Sequence, residues 1–225
     1  MIRGFCRGIK GNMLFKDRLD AGEKLAELLS DYEGKQVAVI AIPRGGVEVG
    51  YVVASRLAAP LEVTVPRKIG SPADPELAVG AVAEDGTIYI DEEVSRMIGV
   101  REDWIRVEAE RELQEVRRRI EVYRGSKSLP SLKGYTVLLV DDGIATGATM
   151  IATARFLRKL EPEKLVIAAP VAPPEIVPKI SREADEMRYV DTPAPFFAIG
   201  QFYQEFPQLS DSKVLEYLSK SKRLV

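Results

Sequence analysis

Asp141 and Asp142 stand side by side, and three residues past them a small-residue loop runs Ala145-Thr146-Gly147-Ala148-Thr149. A loop of this kind at a helix start offers free backbone N–H groups, the positive end of the helix dipole and two threonine hydroxyls, which together can hold a phosphate. Carboxylates beside such a cradle would repel its ligand unless they address something else on it, such as hydroxyls or a metal. A sugar phosphate meets both demands, with its phosphate in the loop and vicinal hydroxyls donating to Asp141 and Asp142. The plainer alternative is a strand ending in a polar turn, with one of the two acids serving only as a helix cap.

The flanking residues supply the elements that must hold this pair. Val137 to Val140 reads as a buried parallel strand, and Met150, Ile151, Phe156, Leu157 and Leu160 follow with helical spacing. A second strand, Gln36 to Ile42, runs into Pro43-Arg44-Gly45-Gly46 and a helix with Val49, Val52, Val53 and Leu57 inward. Leu61 to Val65 supplies the next strand, with Arg67 and Lys68 at its end, completing a βαβ unit. Strands alternating with helices predict an α/β fold, a doubly wound, mostly parallel sheet flanked by helices. Ligands bind beyond the carboxyl ends of such strands, at the switch point. The Arg44 turn and the Asp141 loop both follow strands, so they share that edge.

Elsewhere, Asp20 and Glu23 are expected to cap a first helix carrying Ala21, Leu25, Leu28, Leu29 and Tyr32. Residues 70–76 are rich in breakers, and 69–86 reads as a long excursion ending in a short strand, Thr87 to Ile90. Arg101 to Tyr123 is a long helix with thirteen charges between Arg101 and Glu121. Its apolar stripe of Ile105, Ala109, Leu113, Val116, Ile120 and Tyr123 predicts a face on the core or between two copies, and a homodimer is expected. Further strands are read at Lys164 to Ala169 and Met187 to Val190. An aromatic-dense segment spans 193–206, and Ser210 or Asp211 caps a last helix with Val214, Leu215 and Leu218. The expected organisation is a single domain over 1–225, with a helical insertion at 91–126 and a small C-terminal hood and helix at 191–225.

Composition narrows the chemistry. The 225 residues hold 46% hydrophobic and 29% charged side chains with a net charge of -2, ordinary for a soluble globular protein. The acidic balance gives no field for a nucleic acid, which is not an expected partner. There is no histidine, so histidine catalysis and a histidine metal site are excluded, and the single cysteine, Cys6, allows no intrachain disulfide. Met1 to Arg7 lacks a signal peptide's apolar core, and no apolar run approaches a membrane span, so a cytoplasmic location is expected.

The Val137–Met150 segment resembles the signature of the type I phosphoribosyltransferases, in which a hydrophobic strand, two acids and a threonine-glycine-threonine loop bind phosphoribosyl pyrophosphate. The likeness extends from about Phe15 to Ser210, to the group that carries a Pro-Arg-Gly-Gly turn. Its pattern is matched by Pro43-Arg44-Gly45-Gly46, Arg67-Lys68-Ile69-Gly70, Pro75-Glu76 and Gly80-Ala81-Val82. By that resemblance the amides of Arg44 and Gly45, with Gly46 beside them, bind pyrophosphate in a loop often held by a cis peptide. Arg67 and Lys68 contact the same pyrophosphate, 69–86 forms a lid, and Ala145, Thr146, Gly147, Ala148 and Thr149 take the 5-phosphate.

The implied reaction displaces pyrophosphate at the anomeric carbon of the sugar by a nitrogenous small-molecule acceptor, with Mg2+ carried mainly by the substrate and no dedicated protein metal site. Enzymes for 6-oxopurines usually carry an aspartate where Ala145 stands, which argues for another acceptor. Glu84 is the candidate proton partner, with Glu76 a second choice. Phe197 corresponds to the ring that stacks on the acceptor in the hood of related purine enzymes, with Tyr203 as its alternative. A different class of function is a non-catalytic regulator that senses phosphoribosyl pyrophosphate or nucleotides. It would need a basic groove or an appended DNA-binding module. A buried phenylalanine and a solvent-facing glutamate are the bland readings of Phe197 and Glu84.

Overall fold

In chain order the elements are β1 (Phe5–Arg7), α1 (Arg18–Leu28), β2 (Val37–Ala41), α2 (Gly45–Arg56), β3 (Leu61–Val63), β4 (Arg67–Gly70), β5 (Ala78–Val82) and β6 (Ile88–Ile90). They continue as α3 (Glu92–Met97), α4 (Glu102–Arg124), β7 (Thr136–Val140), α5 (Ala148–Arg158), β8 (Lys164–Val171), α6 (Val177–Ile180), β9 (Glu186–Asp191) and α7 (Asp211–Lys220). These come from a computed structural model that describes residues 5–7, 14–75, 77–125 and 127–224.

Six strands pair in parallel in the order β1-β9-β8-β7-β2-β3. The central strands are apolar at nearly every position because both faces of the sheet are covered. Val39, Leu138 and Val166 pack in one core with Leu25 of α1, Val53 of α2 and Val214 of α7. Ile40, Leu139 and Ile167 pack in a second core with Met150, Ile151 and Phe156 of α5. The chain leaves β2 towards β3 on one side and leaves β7 towards β8 on the other, so the switch point lies between β2 and β7. Ala41 is paired with Val140 there, and the two loops read as functional therefore emerge together.

Residues between β3 and β7 build a separate antiparallel sheet, β4-β5-β6, and the helices α3 and α4. This corrects two expectations. Arg67 and Lys68 open β4 instead of closing β3, which stops at Val63. The 69–86 excursion holds the end of β4 and all of β5, which pair antiparallel, and among its described residues 71–75, 77 and the turn at 83–86 lie outside regular structure. Every residue of β5 is buried, with α4 and α5 both packed against it, so small and β-branched side chains there outweigh the breakers of the turn.

The α4 stripe behaves as its spacing predicts: Ile105, Ala109, Leu113, Val116 and Tyr123 are buried, and Gly125 ends the helix in the left-handed conformation. The charges fall on the outer side, where Arg106 pairs with Glu102 and both Arg118 and Arg119 pair with Glu115. Two helix details differ from expectation. The N-cap of α1 is Asp17, which accepts from the Asp20 amide, while Asp20 accepts from the Lys16 amide. In α7, Ser210 caps as expected, yet Leu215 faces solvent and Tyr217 takes the inward place.

Candidate functional site

The apolar run of β7 ends at Val140 and delivers Asp141 and Asp142 to the switch point. Asp141 is half-buried and faces a cavity of about 460 Å³, while Asp142 is buried and turned away from it. The Asp141 carboxylate accepts from the Asp142 amide at 2.8 Å. Asp142 Oδ2 accepts from Arg18 Nε at 2.7 Å, with both side chains buried. The Arg18 guanidinium also donates to the Pro207 carbonyl at 2.7 Å and lies 3.8 Å from the centre of the Phe206 ring. Phe206 packs on Tyr203, whose hydroxyl donates to the Asp142 carbonyl at 2.6 Å. Asp142 is thus fixed from both ends by α1 and the C-terminal segment.

This asymmetry divides the acids electrostatically. Burial pushes both carboxyls above their ordinary range. The neighbouring Asp142 charge pushes Asp141 further up, whereas Arg18 opposes the rise at Asp142. Of the pair, Asp142 has the cation beside it that eases ionisation, and Asp141 is the one whose carboxyl is pushed further up.

The loop after β7 forms the floor of the same cavity, which Ala145, Thr146, Gly147, Ala148 and Thr149 all line. Gly147 has φ +78°, and a Cβ there would lie 2.9 Å from Ile180 Cδ1, so glycine is required on both counts. The Ile151 amide bonds back to the Gly147 carbonyl, leaving the amides of Ala148, Thr149 and Met150 as the donors of the helix start.

Across the switch point, the Pro43–Arg44 peptide bond is cis and Gly45 and Gly46 open α2. A Cβ on Gly45 would overlap Asp142 Oδ2 and lie 2.9 Å from Arg18 Nε, and one on Gly46 would lie 2.8 Å from Asp141 Cα. Sequence reading assigned these glycines to ligand approach, whereas the acids themselves already demand them. Gly45→Ala is therefore expected to lower the unfolding temperature as well as weaken anion binding, by forcing Asp142 from Arg18. Thermal denaturation beside a binding titration checks this; an unchanged unfolding temperature would count against the contact.

The other sequence candidates separate into those at the cavity and those elsewhere. Lys68 and the exposed Phe197 line the cavity, and the Phe197 amide is held by Gln201 Oε1 at 2.8 Å. Arg44 Nη1 lies 3.8 Å from Asp211 at the start of α7. Arg67 pairs with Glu112 of α4 at 2.7 Å, because α4 covers the small sheet. Glu84 is not brought to the cavity: it pairs with buried Arg124 at 2.7 Å and accepts from the Thr64 hydroxyl at 3.2 Å. That engagement removes it as a candidate proton partner, and Glu76 lies outside the described residues. Tyr203 is buried under Phe15 and Phe206 and cannot present its ring to a ligand. Sequence reading missed Arg18. The available signal was its phase, since Arg18, Ala21, Gly22 and Leu25 share the buried face of α1.

The family model for the phosphoribosyl transferase domain matches residues 13–201. A Mycobacterium tuberculosis H37Rv protein named "Putative phosphoribosyl transferase Rv0571c" is 43% identical over 212 residues, covering 93% of this chain and 47% of the relative. The chain thus spans about half the length of that relative. A shorter stretch of 72 residues, 31% of the chain, is 42% identical to 26% of a ribose-phosphate pyrophosphokinase from Pyrococcus furiosus. Among solved structures, TT1426 from Thermus thermophilus superposes with a TM-score of 0.77 at 37% identity, covering 93% of this chain and 100% of that one.

Proposed function

Because the chain belongs to the phosphoribosyl transferase family, we propose that it moves the 5-phosphoribosyl group from phosphoribosyl pyrophosphate to a planar, nitrogenous acceptor and releases pyrophosphate. One observation carries this reading: the helix-start loop 145–149 and the Asp141 carboxylate open into one cavity at the switch point. The amides of Ala148 and Thr149, with the Thr146 and Thr149 hydroxyls, hold the 5-phosphate. Asp141 accepts from the ribose hydroxyls, and Lys68 and the Arg44-Gly45 turn address the pyrophosphate end.

As the bond to pyrophosphate breaks, positive charge grows on the ribose ring. A carboxylate about 5 Å away is worth about 3 kcal/mol at an effective dielectric near 20. Asp141 supplies that charge from the ribose side, and Asp142 holds the peptide that positions it. Among the described residues no cluster of three or more acidic, cysteine or histidine side chains is placed to bind a metal. A Mg2+ ion carried by the pyrophosphate would reach Asp141 and would neutralise charge on the leaving group.

The acceptor end of the cavity is walled by Ile144, Ala145, Phe197, Ala198 and Ile199. An apolar slot with one exposed ring suits a flat acceptor other than a 6-oxopurine, whose donor groups would find no carboxylate beside Ala145. Phe197→Ala should leave thermal stability unchanged, because the side chain is 85% exposed, and raise the acceptor KM about tenfold, since stacking is worth roughly 1–3 kcal/mol per base. Steady-state kinetics read this, and an unchanged KM or brisk use of hypoxanthine or guanine would refute the acceptor class.

The direct test is turnover of labelled phosphoribosyl pyrophosphate against a panel of nucleobases, ammonia and anthranilate. In parallel, crystals soaked in sulfate or ribose 5-phosphate should show the anion on the amides of 145–149. An anion bound elsewhere, with that loop empty, would remove the basis of the reading.

A further inference from the structure

A second cavity of about 360 Å³ lies where the C-terminal turns of α4 and α5 meet, at the small end of the ~300–1,000 Å³ typical of small-molecule sites. Its composition is divided. Ile120, Phe156 and Leu160 give it apolar lining, and Arg117, Arg124 and Lys127 give it three cationic side chains. Two acids also border it, and both are already engaged: Glu84 with Arg124, and Asp85 with Lys159 at 2.9 Å.

The cations are not neutralised to the same degree. The Arg124 side chain is 3% exposed, and only its Nη2 is bonded, to Glu84. Its Nε and Nη1 are buried with no hydrogen-bond partner among the described residues. Buried donors left in this state destabilise the fold, so a ligand oxygen that reached them would be favoured. Arg117 and Lys127 make no side-chain ion pair among the described residues, and both are exposed at the mouth. Three cations, one of them carrying two orphaned donors, line the same cavity as aromatic and aliphatic side chains, a recognition pattern for one kind of ligand.

We propose that this cavity binds a small organic anion, one phosphate or sulfonate group attached to an apolar ring, with the ring on Phe156 and Leu160 and the anion among Arg117, Arg124 and Lys127. Such a ligand gains charge-assisted hydrogen bonds at one end and buries its ring at the other. The site stands apart from the Asp141 cavity and does not depend on the reading given to that cavity. It nevertheless closes the far end of α5, the helix whose first residues form the 145–149 loop.

Calorimetric titration of the whole protein with 1-naphthyl phosphate tests this, with 1-naphthol as the uncharged control. Two variants separate the sites: Arg117→Ala/Lys127→Ala strips the mouth of the new cavity, and Thr146→Glu places a repelling charge in the 145–149 loop. Circular dichroism confirms that both variants are folded. The expected result is saturable binding to wild type and to Thr146→Glu, at least tenfold weaker binding to the double variant, and none of 1-naphthol. Binding lost in Thr146→Glu, or kept in the double variant, places the anion elsewhere and overturns the proposal. So does an absence of binding to wild type, or equal binding of 1-naphthol.

Discussion

Asp141→Asn is expected to lower kcat at least tenfold and, at the same time, to make the protein more stable at neutral pH. Both effects come from one charge. The asparagine keeps an oxygen for the Asp142 amide, which donates to Asp141 at 2.8 Å in the wild type, so the local backbone stays in place. It no longer supplies a negative charge to the ribose ring, and at about 1.4 kcal/mol per decade even half of the ~3 kcal/mol Coulomb interaction is a tenfold loss. Because the charge matters most in the transition state, kcat should fall more than KM rises. The stability gain follows from burial and the adjoining Asp142 charge, which hold the Asp141 carboxyl well above its ordinary range. A carboxyl raised in the folded state favours folding most below its unfolded pKa, and that contribution is lost as pH rises through the folded value. Above its unfolded pKa wild type bears the cost of this raised carboxyl, and the variant escapes it. The advantage of the variant should therefore shrink as pH falls towards 4, the ordinary carboxylate range. In a domain of this size each kcal/mol gained moves the unfolding midpoint by roughly 2–4 °C. Thermal denaturation from pH 4 to 8, beside steady-state kinetics, reads both halves. Equal kcat for the two proteins, or a variant less stable at pH 7, would contradict the assignment of Asp141.

The sheet and the phosphate-type loop were legible because each is encoded locally. A five-residue apolar run followed by small and polar residues specifies β2 or β7 without reference to anything distant. The placing of the Arg44 turn beside Asp141 needed only the doubly wound rule, and the Ala41–Val140 pairing realises it. What escaped depends on partners far along the chain. Glu84 follows an apolar strand and reads as a free acid until Arg124, forty residues on, is packed against it. Arg18 sits at the start of a helix, where a charge is ordinarily solvated, and its partners Asp142 and Pro207 are 124 and 189 residues away. Asp17 and Asp20 offer the same spacing to a cap, so composition alone could not choose between them. The β4-β5 hairpin was obscured because its turn holds the breakers, while its second strand is specified by burial between α4 and α5.

The contact between Arg18 and Asp142 leads to the other large expected effect. Arg18→Met should destabilise the protein by about 3–5 kcal/mol, the usual result of removing one partner of a buried ion pair. Asp142 would then be a buried carboxylate beside Asp141 with no cation. Asp142→Asn should also destabilise, because the Arg18 Nε–H loses its charged acceptor. Combining the two removes both charges, so the double variant should be more stable than the sum of the single losses predicts. Contacting residues couple by about 0.5–3 kcal/mol, and this pair is expected near the upper end. A cost of burial alone would give additive losses. The pH profile tests the electrostatic role separately. Arg18 opposes the upward push on the Asp142 carboxyl, so in Arg18→Met the acid pair should take up protons at higher pH and the acid limb of kcat against pH should move upward. Arg18→Lys keeps the charge and should restore the position of that limb, though not the bond to the Pro207 carbonyl or the packing on Phe206. Denaturant unfolding of the four proteins in the cycle, with pH profiles for wild type and the two Arg18 variants, decides the matter. Strict additivity, together with an acid limb that stays in place in Arg18→Met, would reduce Arg18 to a packing residue.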